Sequence, residues 1–277
     1  MLDDRGIERF SRQIVLPEVG VAGQERLLAA RVLTADLSSP LVTALAYLAA
    51  AGISRFDVIG DRGRVEPSDV AAPPGYGPGD VGTPRLFAVG EILRRANPEA
   101  SIEETREVEA SGSGSATPQR WQLVLSSGDR DRLHRAGRIA HAAHIPLVAA
   151  DTATAGGWVA GFAGHDRTHP CPDCAMLDGA SLRTGATAPE GDIGSEQVDT
   201  AVATGLDTGV VGSLAAIEMI KLVLGIGTPL IGTCVRYERS SGALHIIPVR
   251  KDPHCPWCQP DGSRPGGRRT SDAREHR

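Results

Sequence analysis

Four of the five cysteines in the chain fall into two matched pairs, Cys171-Pro172-Asp173-Cys174 and Cys255-Pro256-Trp257-Cys258. A C-x-x-C turn presents two thiolates from one tight bend, and two such turns complete the tetrahedral sulfur shell that Zn²⁺ favours. A redox dithiol would need one pair only, and proline follows the first cysteine of both. The expectation is a closed structural zinc site held by Cys171, Cys174, Cys255 and Cys258, with no ligand position open for chemistry. Cys234 stands alone in an apolar segment and reads as a small buried hydrophobe.

The segments that must position these residues alternate in type. Apolar residues recur at helical spacing over 21–30, Arg31-Val32-Leu33-Thr34-Ala35 reads as a short buried strand, and 40–51 as an Ala/Leu-rich helix stopped by Gly52. A strand is expected at 55–59, a Pro/Gly loop at 71–80, a helix over 80–96 closed by Asn97-Pro98, and a strand at 102–108. A flexible linker at 109–118 precedes a strand at 121–125, a helix from Asp129 to about Ala143 and a strand at 145–150. This order implies an α/β fold: a doubly wound, Rossmann-like, mostly parallel sheet. Beyond 151 the pattern changes to a strand at 158–164, a long Gly/Thr/Ala-rich stretch at 175–206, a helix over 210–224, and an antiparallel pair at 234–238 and 243–249. That pair forms a C-terminal antiparallel extension tied down by the cysteines, and 261–277 reads as a disordered tail.

Composition narrows the function classes. A chain of 277 residues with 41% hydrophobic content can bury a full core, and a formal net charge of −5 argues against a nucleic-acid binder. The longest apolar stretch is broken by Glu218 and Lys221, so no membrane span is expected, and the first residues lack the pattern of a secretory signal. Paired cysteines without a disulfide framework point to a reducing cytoplasm.

Several stretches follow one another in a recognisable order: RFSRQIVLPEVGVAGQERLLAARVL at 9–33, ALAYLAAAGISRF at 44–56, GDVGTPR at 79–85, HIPLVAADT at 144–152, the two cysteine pairs, and GVVGSLAAIEMIKLVLGIGTPL at 209–230. Together they resemble the ThiF/MoeB/HesA family of ubiquitin-activating-enzyme-like adenylyltransferases, which activate the C-terminal glycine of a ubiquitin-like sulfur carrier. The resemblance implies one domain over 1–258. Its nucleotide-binding-type half would span about 31–152, its zinc-tied carrier-binding half about 153–258, and a disordered tail 259–277.

The resemblance also implies ATP, Mg²⁺ and a G-x-G-x-x-G loop at 36–41, whose glycines let backbone N–H groups approach phosphate. Asp36-Leu37-Ser38-Ser39-Pro40-Leu41 stands there instead, with no glycine. Pro40 has no N–H to offer. At an effective dielectric of about 20, a carboxylate roughly 4 Å from a phosphate charge costs on the order of 4 kcal/mol. Other positions are mixed. Asp61 matches the acidic residue that holds the ribose. Asp129 matches the Mg²⁺-associated aspartate of D-x-x-D-N, but Ser126 and Arg130 replace its companions. Arg12 matches the arginine that reaches the phosphates across a two-fold interface, and Arg85 stands for the family's lysine. The family's S-N-L-x-R-Q has become Ser68-Asp69-Val70-Ala71-Ala72-Pro73, without the arginine. No cysteine stands near Val198 for a sulfur relay.

The expected function is recognition of the C-terminal tail of a ubiquitin-like sulfur-carrier protein or a peptide by a homodimer, in which the apolar residues at 44–52 would also find cover. Adenylation is expected to be lost or weak, with Arg12 and Asp129 as the candidate catalytic residues and Asp61 and Arg85 as the candidate ATP contacts. The alternative is an active adenylyltransferase with an unorthodox phosphate loop. A dinucleotide oxidoreductase would need the same missing glycines.

Overall fold

Val32 and Leu33 fall on opposite faces of β1 (Arg31–Thr34), and both are enclosed. A strand that is apolar on both faces has to be covered on both sides, and this requirement organises the chain around it. The computed structural model describes residues 2–70, 74–105, 120–153, 155–163, 166, 168–178, 200–253 and 255. One sheet of eight strands runs through it, in the order β3-β2-β1-β4-β5-β6-β7-β8. β2 (Arg55–Ile59), β3 (Ser101–Thr105), β4 (Leu123–Ser126) and β5 (Leu147–Ala153) join β1 in parallel. β6 (Gly156–Phe162), β7 (Thr233–Glu238) and β8 (Leu244–Pro248) extend the sheet antiparallel.

One face is covered by α2 (Gly20–Ala29), α3 (Ser39–Ala50), α4 (Arg85–Ala96) and α7 (Thr200–Leu224), packed on Val32, Phe56, Val58, Leu123, Val148 and Val159. The other is covered by α5 (Arg130–Ala143) and α6 (Pro172–Asp178) over Leu33, Val124, Leu147, Trp158 and Phe162. Toward β2 this second face turns polar. Asp57, fully enclosed, accepts from Arg31, from Arg120 at 3.0 Å and from the Trp121 Nε1–H at 2.7 Å.

α1 (Asp4–Ile14), capped by Asp3, buries only Phe10. Phe10 lies against Gly52, which precedes β2, and Arg9 donates to the Ala96 carbonyl and to Asn97 Oδ1, just before β3. α1 is therefore anchored at the amino end of the parallel strands.

Three expectations change. α4 begins at Arg85 rather than near 80. A single 3₁₀ turn occupies Pro78–Asp80, and Val65 pairs through its backbone with Gly82 and Thr83, which holds this segment out of the helix. α7 begins at Thr200, ten residues earlier than its apolar period suggests. Tertiary contacts outweigh the glycines here: Asp207, 1% exposed, pairs with Arg239, and Gly212 lets α7 close onto Pro40 and Thr43 of α3. Finally, the apolar stretch at 44–52 needs no second chain to cover it, because α3 is enclosed by α4 and α7 except at Tyr47 and its ends. The expected linker at 109–118 and the tail from 259 lie outside the described residues.

Candidate functional site

β1 and β4 are neighbours, but the connection after β1 leads to α3 on one face and the connection after β4 leads to α5 on the other. The gap between those two loops, at the carboxyl end of the strands, is the switch point where α/β sheets take their ligands. Here a carboxylate spans it. Asp36, 2% exposed, leaves the end of β1 and reaches the loop after β4. Its Oδ2 accepts from Ser127 Oγ–H at 2.6 Å and from Ser127 N–H at 3.3 Å. Its Oδ1 accepts from Ser38 N–H at 2.9 Å, the residue that leads into α3, and lies 3.4 Å from the Arg132 guanidinium. The groups that a phosphate would want at this helix start already serve an internal anion.

Asp61, at the end of β2, is also engaged. Oδ2 accepts the Leu37 N–H at 3.1 Å and Oδ1 the Gly63 N–H at 3.0 Å. Arg85 donates to Asp69 Oδ2 at 2.7 Å and lies 3.9 Å from Asp61. Burial works against the Arg85 charge, but the hydrogen bond and charge of Asp69 outweigh it and raise its pKa. Tyr76 is fully enclosed and donates to the Leu37 carbonyl at 2.8 Å, with burial raising its pKa. Asp129 is the N-cap of α5 and accepts from Arg132 N–H at 3.0 Å. Asp151, at the end of β5, accepts from Gly128 N–H at 3.1 Å. Burial raises the Asp151 pKa against that bond, and Asp36 and Asp129 add to the rise.

The sequence-predicted residues divide accordingly. Asp61 and Arg85 meet beside the loop at 36–41, and Asp129 stands at the next loop along the sheet. Arg12 does not join them, because its helix sits at the opposite end of the strands. Asp69, Ser127, Arg132 and Asp151 were not anticipated. A usable signal was present in Ser126 and Asp36: the aspartate missing from the end of β4 is matched by one gained at the end of β1.

A second cluster lies beyond α5. Cys171, Cys174 and Cys255 are buried with their sulfurs mutually within 4.8 Å, and it is the one group of such ligands this close among the described residues. Sγ of Cys171 lies 3.8 Å from that of Cys174 and 3.6 Å from that of Cys255. Zn–S bonds of about 2.3 Å at tetrahedral angles require sulfurs roughly 3.8 Å apart, so this spacing suits a shared metal. Cys258 lies outside the described residues. The Asp173 carboxylate between the first two cysteines meets His134 Nδ1 of α5 at 2.7 Å. Cys234 is not part of the cluster. It is fully enclosed on β7, and burial pushes its thiol up to about 12, as befits a packing residue.

Residues 10–257 match the ThiF family. The sulfur carrier protein adenylyltransferase of Thermus thermophilus is 31% identical over 256 residues, covering 91% of this chain and 90% of its own length. The SAMP-activating enzyme E1 of Haloferax volcanii is 29% identical over 94% of this chain and 92% of its own. The molybdopterin-synthase adenylyltransferase of Escherichia coli is 29% identical over 93% and 98%. Among solved structures, E. coli MccB with MccA-N7isoASN superposes with a TM-score of 0.67 at 17% identity, covering 91% of this chain and 75% of that one. PaaA gives 0.67 at 17% identity, over 90% and 85%. At such identities the two superpositions speak for the fold alone.

Proposed function

Because this chain belongs to the ThiF family, we propose that it recognises the C-terminal tail of a ubiquitin-like sulfur-carrier protein or a peptide, with ATP-dependent adenylation lost or weak. The observation that carries this reading is the Asp36 carboxylate, fixed between Ser38 and Ser127 where a nucleotide phosphate would need those same donors. ATP does not fit the crevice as it stands. Leu37 N–H is taken by Asp61 and Arg85 by Asp69, and Asp129 and Asp151 add carboxylates at the ends of β4 and β5. Among the described residues no group of three carboxylates lies close enough to share one ion.

Partner recognition is assigned to the half of the chain from about 153 to 258, held by a structural zinc on Cys171, Cys174, Cys255 and Cys258. The fit of the three described thiols to a tetrahedral edge supports the metal. Zinc there would cross-link the start of α6 to the chain beyond β8 and supply no open coordination position. Thiolate ligands call for a reducing, cytoplasmic setting. The proposed assembly is a homodimer, since Arg12 lies too far along its own chain's sheet to serve the crevice beside it. The second reading, a working adenylyltransferase, draws on the relatives' names and on identity that extends over nearly the whole chain.

ATP–pyrophosphate exchange in the presence of a candidate carrier with a free C-terminal carboxylate separates the two. Two or three missing phosphate hydrogen bonds at about 1.5–3 kcal/mol each, with the repulsion from Asp36 added, amount to about 5 kcal/mol or more, which at 1.36 kcal/mol per decade of rate predicts exchange at least about a thousandfold below a working relative. Carrier binding should persist in Asp129→Ala. Asp36→Gly combined with Ser39→Gly should raise ATP affinity in calorimetry. Robust exchange that disappears in Asp129→Ala would overturn the proposal in favour of the active enzyme.

A further inference from the structure

Among the described residues the sheet ends on β3 at one side and β8 at the other, and the two edges are built differently. β3 carries Glu103 and Glu104, the latter 3.4 Å from Arg62, and charges of this kind keep foreign strands away. β8 reads Leu244-His245-Ile246-Ile247-Pro248, with no lysine, aspartate or glutamate, and Leu244 and Ile246 are 52% and 71% exposed.

The register fixes what the outer edge offers. Val249 N–H donates to the Gly232 carbonyl, Glu238 N–H donates to Ala243, and Val235 lies opposite Ile246. In an antiparallel ladder the intervening residues alternate, so His245 and Ile247 turn their backbone groups toward β7 while Leu244, Ile246 and Pro248 turn theirs outward. Pro248, which has no N–H, occupies an outward position, where it costs the existing ladder nothing. The side chains of Leu244 and Ile246 share a face with Val235 and Tyr237, and this forms an apolar strip beside the open backbone edge. Arg250 and Lys251 follow directly. No stretch of this chain outside the described residues contains a run of alternating apolar residues that would complete the edge.

We propose that the outer edge of β8 is a strand-addition site for an extended peptide segment. The segment binds antiparallel, with apolar side chains on the Leu244 and Ile246 face and acidic residues at its amino-terminal end, beside Arg250 and Lys251. Backbone pairing supplies the affinity and the alternate side chains the selectivity. The inference rests on the carrier-or-peptide reading only for the class of partner.

The probe is an acetylated, amidated peptide, Asp-Glu-Val-Thr-Val-Thr-Val-Gly, titrated against the full chain with amide hydrogen exchange in parallel. Binding should slow exchange at Leu244 and Ile246. Methylating the valine nitrogens, which face the edge, should abolish binding, while methylating the threonine nitrogens should leave it. Ile246→Lys should weaken binding at least tenfold with an unchanged melting temperature, since Ile246 stands largely in solvent. Equal effects of the two methylations, unprotected Leu244 and Ile246 amides, or full binding to Ile246→Lys would each overturn the site. Concentration-dependent dimerisation lost in Ile246→Lys would give the edge to a second copy and likewise overturn the peptide assignment. A carrier that binds the Ile246→Lys protein normally would remove the strand-addition site and leave carrier recognition standing.

Discussion

Asp57 is enclosed and Asp151 half-buried, and they sit in opposite fields. Burial alone would raise the Asp57 pKa, but hydrogen bonds from Arg31 and Trp121 and the charges of Arg31 and Arg120 bring it below the usual carboxylate range. A lowered folded pKa means that the unfolded chain binds protons first. The stability Asp57 contributes is therefore complete above the ordinary aspartate value of about 4 and is lost as the pH falls below it. Asp57→Asn leaves two arginines facing a neutral group and should destabilise by on the order of 3 kcal/mol near neutrality, with the deficit shrinking in acid. Asp151 is raised by burial, with Asp36 and Asp129 adding to the rise, so the sign reverses. Its charged form is penalised in the folded state, with no penalty below about pH 4 and a growing one as the pH climbs through the raised value. Asp151→Asn, which keeps an acceptor for Gly128, should raise the melting temperature near neutrality and leave it unchanged near pH 4. Urea and thermal denaturation of both variants across that range check the pair. Matching pH trends would contradict the assignment.

At the scale of elements, α7 and the β7–β8 turn depend on one ion pair. Arg239 donates to Asp207 at 2.7 Å, and Asp207 is 1% exposed. Arg239→Met would leave a buried carboxylate without its cation, a change typically worth about 3–5 kcal/mol. Local release is expected before global unfolding, so amide exchange should accelerate first in the α7 turns around Asp207 while α3 stays protected. Uniform acceleration throughout the sheet would show that the pair holds the whole domain rather than one helix end. Here the sequence was a partial guide. The apolar period of α7 is clear from about 210, but glycines at 205 and 209 hide the turns before it, and the helix is carried through them by Arg239, which lies beyond β7.

At the scale of the whole molecule, the cysteine cluster brings the start of α6 together with Cys255, beyond β8. Structural zinc carries about 10–16 kcal/mol of apparent binding free energy in small domains. Metal analysis of reduced protein should return one zinc per chain, and Cys255→Ser should lose the metal and a large part of the thermal stability. Metal-free protein with unaltered melting would refute the site. For assembly, Ile7 on α1, Val15 and Leu16 in the turn after it and Val21 on α2 are 48%, 74%, 44% and 50% exposed. If the proposed dimer forms through these residues, Val15→Asp should shift a two-chain light-scattering mass to one chain.

The alternation of elements, β2 at Arg55–Ile59, Asp129 at the start of α5, the paired cysteines and the missing phosphate-loop glycines are all written in short stretches of chain. Periodicity, caps and turn residues act over three or four positions, so the sequence by itself was enough for them. It could also say that Asp36 stood where a phosphate-binding glycine was expected. Only the tertiary structure decided where that carboxylate goes: to Ser127, 91 residues further along the chain. The same holds for Asp69 on Arg85, and for Arg31, Arg120 and Trp121 on Asp57. These partners meet because the strand order places the ends of β1 and β4 side by side and β2 next to β1. A buried charge takes whichever donors that order brings within reach, and no local pattern encodes which they are.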